Sequence, residues 1–240
     1  MTPRVRLHLD QPLAPGQPLT LDRDQANYLF AVMRLGPGDA ILAFNGRDGE
    51  WRADVAQAGK RGGTLVAVEQ TRPVRMPPDL WLMFAPIKKA RTDFIVEKAT
   101  ELGAARILPV QTEFTNADRI RQDRLQAHAI EATEQCGGTF VPVVADLQPL
   151  ARLLADWPDG RHILWCDEHL TGPATPLADL PRGPWAVLIG PEGGFSDAEQ
   201  SRLRARAQVH PISLGPRILR ADTAAVAALT LWQSALGDWR

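Results

Sequence analysis

The stretch Leu-Ile-Gly-Pro-Glu-Gly-Gly-Phe-Ser-Asp-Ala-Glu, residues 188–199, narrows the choice of fold more than any other. Trp185 to Ile189 is an apolar run of buried-strand length, and Ser196-Asp-Ala-Glu199 is a capping box that starts a helix. The turn between them holds Gly190, Gly193 and Gly194, which can adopt backbone angles closed to other residues. It also holds Glu192, which its apolar surroundings lead one to expect buried. A strand that turns tightly into a helix is a unit of an α/β sheet, and ligands of such sheets sit outside the carboxyl ends of the strands. The turn is not a phosphate cradle: it lacks GxxxxGK(S/T), its spacing is not GxGxxG, and its carboxylate repels phosphate. Glu192 suits a cationic or hydroxyl-bearing ligand, although a tight turn without a ligand accounts for the same residues.

The surrounding sequence agrees with α/β. WLMFAP, RILPV, VPVV, HILWC and WAVLIG are short apolar runs separated by helical patterns over 87–102, 120–136 and 147–156. They imply a mostly parallel sheet with helices on both faces. The proline-rich stretch 171–184 reads as a loop within this domain. Upstream, Pro73, Pro77 and Pro78 disfavour helix and central strand, so the domains are expected at 1–72 and 79–240. Residues 1–72 read as a small β-barrel. RVRLHL alternates like a half-buried strand, AILAFNGRDGEWRADV is a hairpin about Asn45-Gly46, and TLVAVEQ is a further strand. One helix is expected over 22–35, where Ala26, Leu29, Phe30 and Met33 recur at helical spacing.

Composition sets limits. The 240 residues are 45% hydrophobic and 23% charged, as in ordinary globular proteins, and the formal net charge of −1 means that a nucleic-acid partner must be met by a local patch. Cys136 and Cys166 are the only cysteines, without zinc-ligand spacing, so no metal is expected. No apolar run approaches the ~18 residues of a membrane span, and MTPRVRLHLDQPLAPG has no signal-peptide core. A reducing, cytoplasmic location is the expectation, with Cys136 a small core residue.

A second Gly-Pro turn, Ser-Leu-Gly-Pro-Arg-Ile-Leu-Arg-Ala-Asp-Thr (213–223), follows the strand-like HPISL. It leads into a helix over Asp222 to Leu236 that is apolar nearly all round and so expected against the sheet or another subunit. Residues 200–220 carry five arginines and no acid.

LIGPEGGFSDAE and LGPRILRADTA together resemble the ribosomal RNA small subunit methyltransferase E family, of the SPOUT class. The likeness extends through RVRL, YLFAVMRLGPGD and FNGRDGEW, then KKARTDFIVEKATELGA and IEATEQCGG. It implies a PUA-like β-barrel followed by an α/β domain whose carboxyl-terminal chain forms a trefoil knot, a rare exception to ordinary chain topology. It further implies S-adenosyl-L-methionine as methyl donor, a homodimer, and methylation of N3 of one uridine in 16S rRNA, on the assembled 30S subunit.

By the same resemblance, the donor lies between Leu188, Ile189, Gly190, Glu192, Gly193 and Gly194 on one side and Leu214, Gly215, Ile218, Leu219 and Thr223 on the other. Ile218 and Leu219 face the adenine, and Glu192 faces the sulfonium or accepts backbone N–H groups. Uridine N3 carries a proton, so transfer requires its removal or stabilisation of charge on O2 and O4. Arg220 is the candidate for that stabilisation, or contacts phosphate instead; His210 reads as a strand-end residue, and no general base is named. Candidate RNA contacts are Arg4, Arg6 and Arg34 in the first domain and Lys88, Lys89, Arg91, Arg119 and Arg121 in the second. Lys98 is expected in a partly buried pair with Glu101. The chain departs from the family pattern at Asp222, where Glu is usual, and at Gly138, where many relatives have Arg. The same chemistry on another RNA or at a ribose 2′-OH, and a non-catalytic ribosome-binding module, are the alternatives. A dinucleotide-dependent oxidoreductase is disfavoured by the glycine spacing.

Overall fold

The computed structural model describes residues 3–117 and 119–239. The chain divides into two compact units, Met1–Met76 with Thr133–Val141 and Pro77–Ala132 with Pro142–Arg240. The segment Pro73 to Pro78 is irregular.

The first unit is built on β1 (Arg6–His8), β2 (Pro18–Leu21), β3 (Ala40–Phe44), β4 (Glu50–Gly59) and β5 (Gly62–Arg72), in the order β1-β3-β4-β5-β2. Pairing is antiparallel except between β1 and β3. Three register shifts between β4 and β5 bend this long hairpin around a core that includes Leu9, Leu19, Leu29, Ile41 and Leu65. The β3–β4 connection is a five-residue loop, not a two-residue turn. Asn45 Oδ1 accepts from the N–H groups of Arg47 (2.9 Å) and Asp48 (2.8 Å), and Gly46 and Gly49 both have φ of 78°.

The helix expected over 22–35 is short and then widens. Asp22 caps α1 (Arg23–Ala26) in a box with Gln25, and residues Asn27–Val32 continue as a π-helix closed by Met33 N–H to Tyr28 O at 2.9 Å. The wider turn keeps Ala26 and Leu29 buried but carries Met33 out of the stripe, to 40% exposure.

Arg6, a candidate RNA contact, is a structural residue here. Its Nε donates to buried Glu50 (2.8 Å), and its two terminal nitrogens donate to the carbonyls of Thr133, Glu134 and Gly138 (2.6–2.8 Å). These bonds tie Thr133–Val141 to β1, and the Gly138 carbonyl does so without needing a side chain there. Cys136, expected in the core, is exposed. It closes a helix whose last turn presents carbonyls, not apolar side chains, to the strand.

The second unit carries β6 (Leu80–Phe84), α2 (Lys89–Glu101), β7 (Arg106–Gln111), α3 (Gln122–Cys136, its last turn in the first unit), β8 (Val143–Val144), β9 (Gln148–Pro149) and α4 (Leu150–Ala155). There follow β10 (His162–Cys166), β11 (Trp185–Ile189), α5 (Asp197–Arg204), β12 (Val209–Ile212) and α6 (Ala221–Ala235). All strand pairs are parallel, in the order β12-β10-β11-β6-β7-β8, with β9 on β7. Alternation divides each strand between two cores. Leu80, Leu82, Phe84, Trp185, Val187 and Ile189 pack with α2, α3 and α6, whereas Met83, Ala186, Leu188 and Trp165 pack with α4 and α5. One side of α6 is buried through Ala224, Ala225, Ala228, Leu229 and Trp232, while Leu231 is 36% exposed. Lys98 pairs with Glu101 at 2.6 Å, both about one-third exposed, and Phe94 on the same helix is 39% exposed.

Glu50 sets the first prediction. Burial acts to raise its carboxyl, but bonds from Arg72, Thr71 and Arg6 outweigh that and hold it at about 2 against an ordinary 4.5. Its contribution to stability is therefore complete above pH 4.5 and lost as pH falls from there toward 2. Glu50→Ala leaves the nearly buried Arg6 and the half-exposed Arg72 without their carboxylate and is expected to cost about 3 kcal/mol by urea denaturation. A loss under about 1 kcal/mol, the range of an exposed pair, contradicts this role.

Candidate functional site

The carboxyl ends of β11, β10 and β12 open into one cavity of about 220 Å³, completed by the start of α6. From β11 come Ile189, Gly190, Glu192 and Gly194, and from the chain after β12 come Leu214, Gly215, Ile218, Leu219 and Arg220. The middle strand, β10, supplies Cys166, Asp167 and Glu168, which the sequence reading missed. Their signal was positional: HILWC ends as WAVLIG does, but only the strand order shows that these ends are adjacent.

Close packing fixes the first turn. Gly194 N–H donates to Pro191 O at 3.0 Å, and Gly194 has φ of 68°; a Cβ there would meet Glu168 Oε1 unless that partly exposed side chain shifted. A Cβ on Gly190 would lie 2.8 Å from the ring of Phe195, which is buried edge-on to Trp165. The capping box starts α5: Ser196 Oγ accepts from Glu199 N–H, and Glu199 Oε2 accepts from Ser196 N–H at 3.0 Å. The second turn is held from outside the motif. Ser213 N–H donates to Thr175 Oγ1 (2.9 Å) and Thr175 N–H to Ser213 O (3.0 Å), so the proline-rich loop fastens the entry to Leu214 and Gly215.

Charge in the cavity has a definite order. Asp167 is buried, accepts from Arg204 (3.1 Å) and from His169 N–H (3.1 Å), and donates its own N–H to Ile212 O. It joins β10, β12 and α5. Glu168 is one-third exposed and faces the turn at Gly194. Glu192 is exposed, contrary to its expected burial, because the turn carries it past the end of the sheet into water. Ligand atoms of Asp167, Glu168 and His169 lie within 4.8 Å of one another, yet Asp167 is already committed to Arg204. Burial and the nearby Glu168 push the Cys166 thiol well above its ordinary range, so it is an apolar wall rather than a nucleophile. His210 is not among the lining residues; its Nε2 lies 3.1 Å from His162 Nδ1, and burial and that neighbour lower its pKa.

The remaining candidates fall in several places. Leu188 turns its side chain to the opposite core, as alternation requires, and Thr223 is exposed, so neither side chain lines the cavity. Gly193 packs on Phe114 and opens into a neighbouring recess shared with Glu168, Glu192 and Gly194. Ile218 is 75% exposed at the mouth. Arg220 is the exposed N-cap residue of α6, at the positive end of a 15-residue helix. Asp222, the shorter acid, is used structurally: Arg91 Nη1 donates to it at 3.1 Å, joining α2 to α6. Arg4, Arg34, Lys88, Lys89, Arg119 and Arg121 are exposed, Arg34 with φ of 58°.

Comparison with known proteins places these features in a family context. Residues 75–233 match the model of an RNA methyltransferase domain, and residues 21–68 that of an RNA methyltransferase PUA domain. The chain is 30% identical over 228 residues to ribosomal RNA small subunit methyltransferase E of Rickettsia conorii, covering 93% of each. A crystal structure of a ribosomal RNA small subunit methyltransferase E from Neisseria gonorrhoeae, bound to S-adenosyl methionine, superposes with a TM-score of 0.88 at 27% identity. That match covers 98% of this chain and 99% of the other. A Legionella pneumophila protein solved in complex with the bound cofactor S-adenosylmethionine matches with a TM-score of 0.86 at 29% identity, over 98% of both chains.

Gly194→Ala is expected to cost about 1–3 kcal/mol, from the left-handed backbone and from its clash with Glu168. Glu168→Ala in the same chain should relieve the clash but not the backbone strain. Urea midpoints of the single and double variants check this; equal losses in the two backgrounds contradict the clash.

Proposed function

The chain belongs to the ribosomal RNA small subunit methyltransferase E family, and from that premise we propose that it transfers the methyl group of S-adenosyl-L-methionine to N3 of one uridine in 16S rRNA. The observation that carries this reading is the cavity at the ends of β11, β10 and β12, walled by the two Gly-Pro turns and bordered by carboxylates. A sulfonium donor is cationic and bent. Glycines without side chains let the backbone approach it, and Glu168 and Glu192 favour positive charge there. Leu214, Gly215, Ile218 and Leu219 form the opposite, largely apolar wall for the adenine.

Once the donor is held, methyl transfer needs the N3 proton released to water, N3 in line with the methyl group as the S–CH3 bond breaks and S-adenosylhomocysteine leaves, and the negative charge on the uracil oxygens stabilised. Arg220 stands at the cavity edge on the N-terminus of α6, so its guanidinium and the helix dipole act together on that charge. Carboxylates beside the donor favour its binding, and a cation beside the base favours the charge that develops there. A trefoil knot in the carboxyl-terminal chain, a homodimer, a cytoplasmic location and the assembled 30S subunit as substrate belong to the same proposal. Arg4 and Arg34 in the first unit, and Lys88, Lys89, Arg91, Arg119 and Arg121 in the second, are assigned to the RNA backbone, with Arg91 also holding Asp222.

Labelled S-adenosylmethionine and 30S subunits lacking the modification test the reading, with the product nucleoside mapped by mass spectrometry. N3-methyluridine at a single 16S position is the expected product. A 2′-O-methyl product, or transfer only into another RNA, overturns the assignment of the target. Arg220→Ala is expected to lower kcat about 10²–10³-fold while leaving donor affinity nearly unchanged. A loss confined to donor binding contradicts its role at the base.

A further inference from the structure

The second unit has another cavity, of about 270 Å³, between the β6–α2 connection and the residues that enter α3. Its floor is apolar and closed: Ile87 is 7% exposed and Leu125 3%, with Ile120 partly buried beside them. Its rim is cationic. Among the described lining residues, Lys89, Arg119, Arg121 and Arg124 face a single carboxylate, Asp93. Asp93 is buried and accepts from Arg124, with His128 Nε2 3.7 Å away, so Arg124 is fixed beside the floor. Lys89, Arg119 and Arg121 are exposed, and Arg121 also reaches Asp123 at 2.7 Å. Helix α2 begins at this rim without a side-chain cap, which adds the positive end of its dipole.

The recess beside the first cavity has the opposite character. Glu113, Glu168, Glu192 and Asp197 line it, and no lysine or arginine does among the described lining residues. A polyanion is therefore repelled at that opening and attracted to the cationic one. The cationic cavity is also joined to the first. Ala85, just before its floor, donates its N–H to Ile189 O at 3.0 Å, and Arg91 in the first turn of α2 holds Asp222 beside Arg220.

We propose that this cavity holds one unstacked nucleotide of the RNA substrate, other than the one that is methylated. Its base rests on Ile87 and Ile120, and its phosphate lies on Arg119 and Arg121. The volume lies just below the range of drug-sized ligand sites, which suits one ring system and not a stack of several. Single-stranded RNA is commonly read by bases splayed onto aromatic or guanidinium planes with phosphates on basic side chains, and here the fixed Arg124 guanidinium beside an aliphatic floor offers such a surface. This inference rests on the methyltransferase reading for the identity of the RNA, but its chemistry requires only a single-stranded polyribonucleotide.

The test uses the full chain, a fluorescent oligoribonucleotide of 16S sequence, and 30S subunits. Ile120→Trp fills the cavity without changing charge. It is expected to weaken oligonucleotide binding, and raise KM for the 30S substrate, about tenfold, the order of losing one base contact. KM for the methyl donor and kcat should stay within about twofold. Arg119→Ala with Arg121→Ala, both on exposed side chains, should make the salt dependence of binding shallower by about 0.7 for each phosphate that is no longer neutralised. If Ile120→Trp binds as the wild type does while the arginine variant weakens, the rim is only a charged surface and the nucleotide site is overturned. Wild-type binding behaviour in both variants overturns it as well. If the variants show these binding effects but the wild-type protein transfers no methyl group, the methyltransferase reading fails and the cavity assignment stands.

Discussion

The parallel run of β10 between β11 and β12 is the constraint on which the site depends. Parallel pairing aligns Trp165 with Leu188 on one side and with Pro211 on the other, so the three strands end at nearly one level. The two Gly-Pro turns, more than twenty residues apart in sequence, therefore face each other across the end of β10. Alternation then decides which side chain enters each core. Ile189 and Ile212 join the cluster beneath α6, and Leu188 and Val209 join the cluster beneath α5. Both cores pin the strand ends from which the turns depart.

On that platform the cavity is built largely from backbone, and its rigidity comes from neighbours that leave no space. Gly190 lies against Phe195, Gly194 against Glu168, and Ser213 against Thr175. None of these pairs is close in sequence except the first. Charge is separated just as simply: carboxylates stand at β10 and the first turn, and guanidinium groups at the second turn (Arg217) and the helix start (Arg220). That separation suits a cationic donor beside a substrate that becomes anionic.

Much of the architecture was legible in the sequence. Buried strands of a parallel sheet read as plain apolar runs, and WLMFAP, HILWC and WAVLIG gave β6, β10 and β11 with little error. Capping chemistry placed the start of α5 within one residue. What remained hidden depended on distance along the chain. Strand order is not encoded in any one strand, so Asp167 and Glu168 could not be placed in the cavity from HILWC alone. Arg6 reads like an exposed strand arginine until Glu50, Glu134 and Gly138 are brought to it. The return of Thr133–Val141 to the first unit carries no local signal, and the exposure of Cys136 follows from it. The π-helix after Ala26 escaped a search for helical spacing because it changes that spacing.

The most direct measurement is amide hydrogen exchange with and without S-adenosylmethionine, read peptide by peptide over the whole chain. Donor-dependent protection is expected at 188–195, at 213–220 and, through β10, at 166–171, with little change elsewhere. Binding of the donor with protection at other segments, and none at these, would contradict the assignment of this cavity as the methyl-donor site.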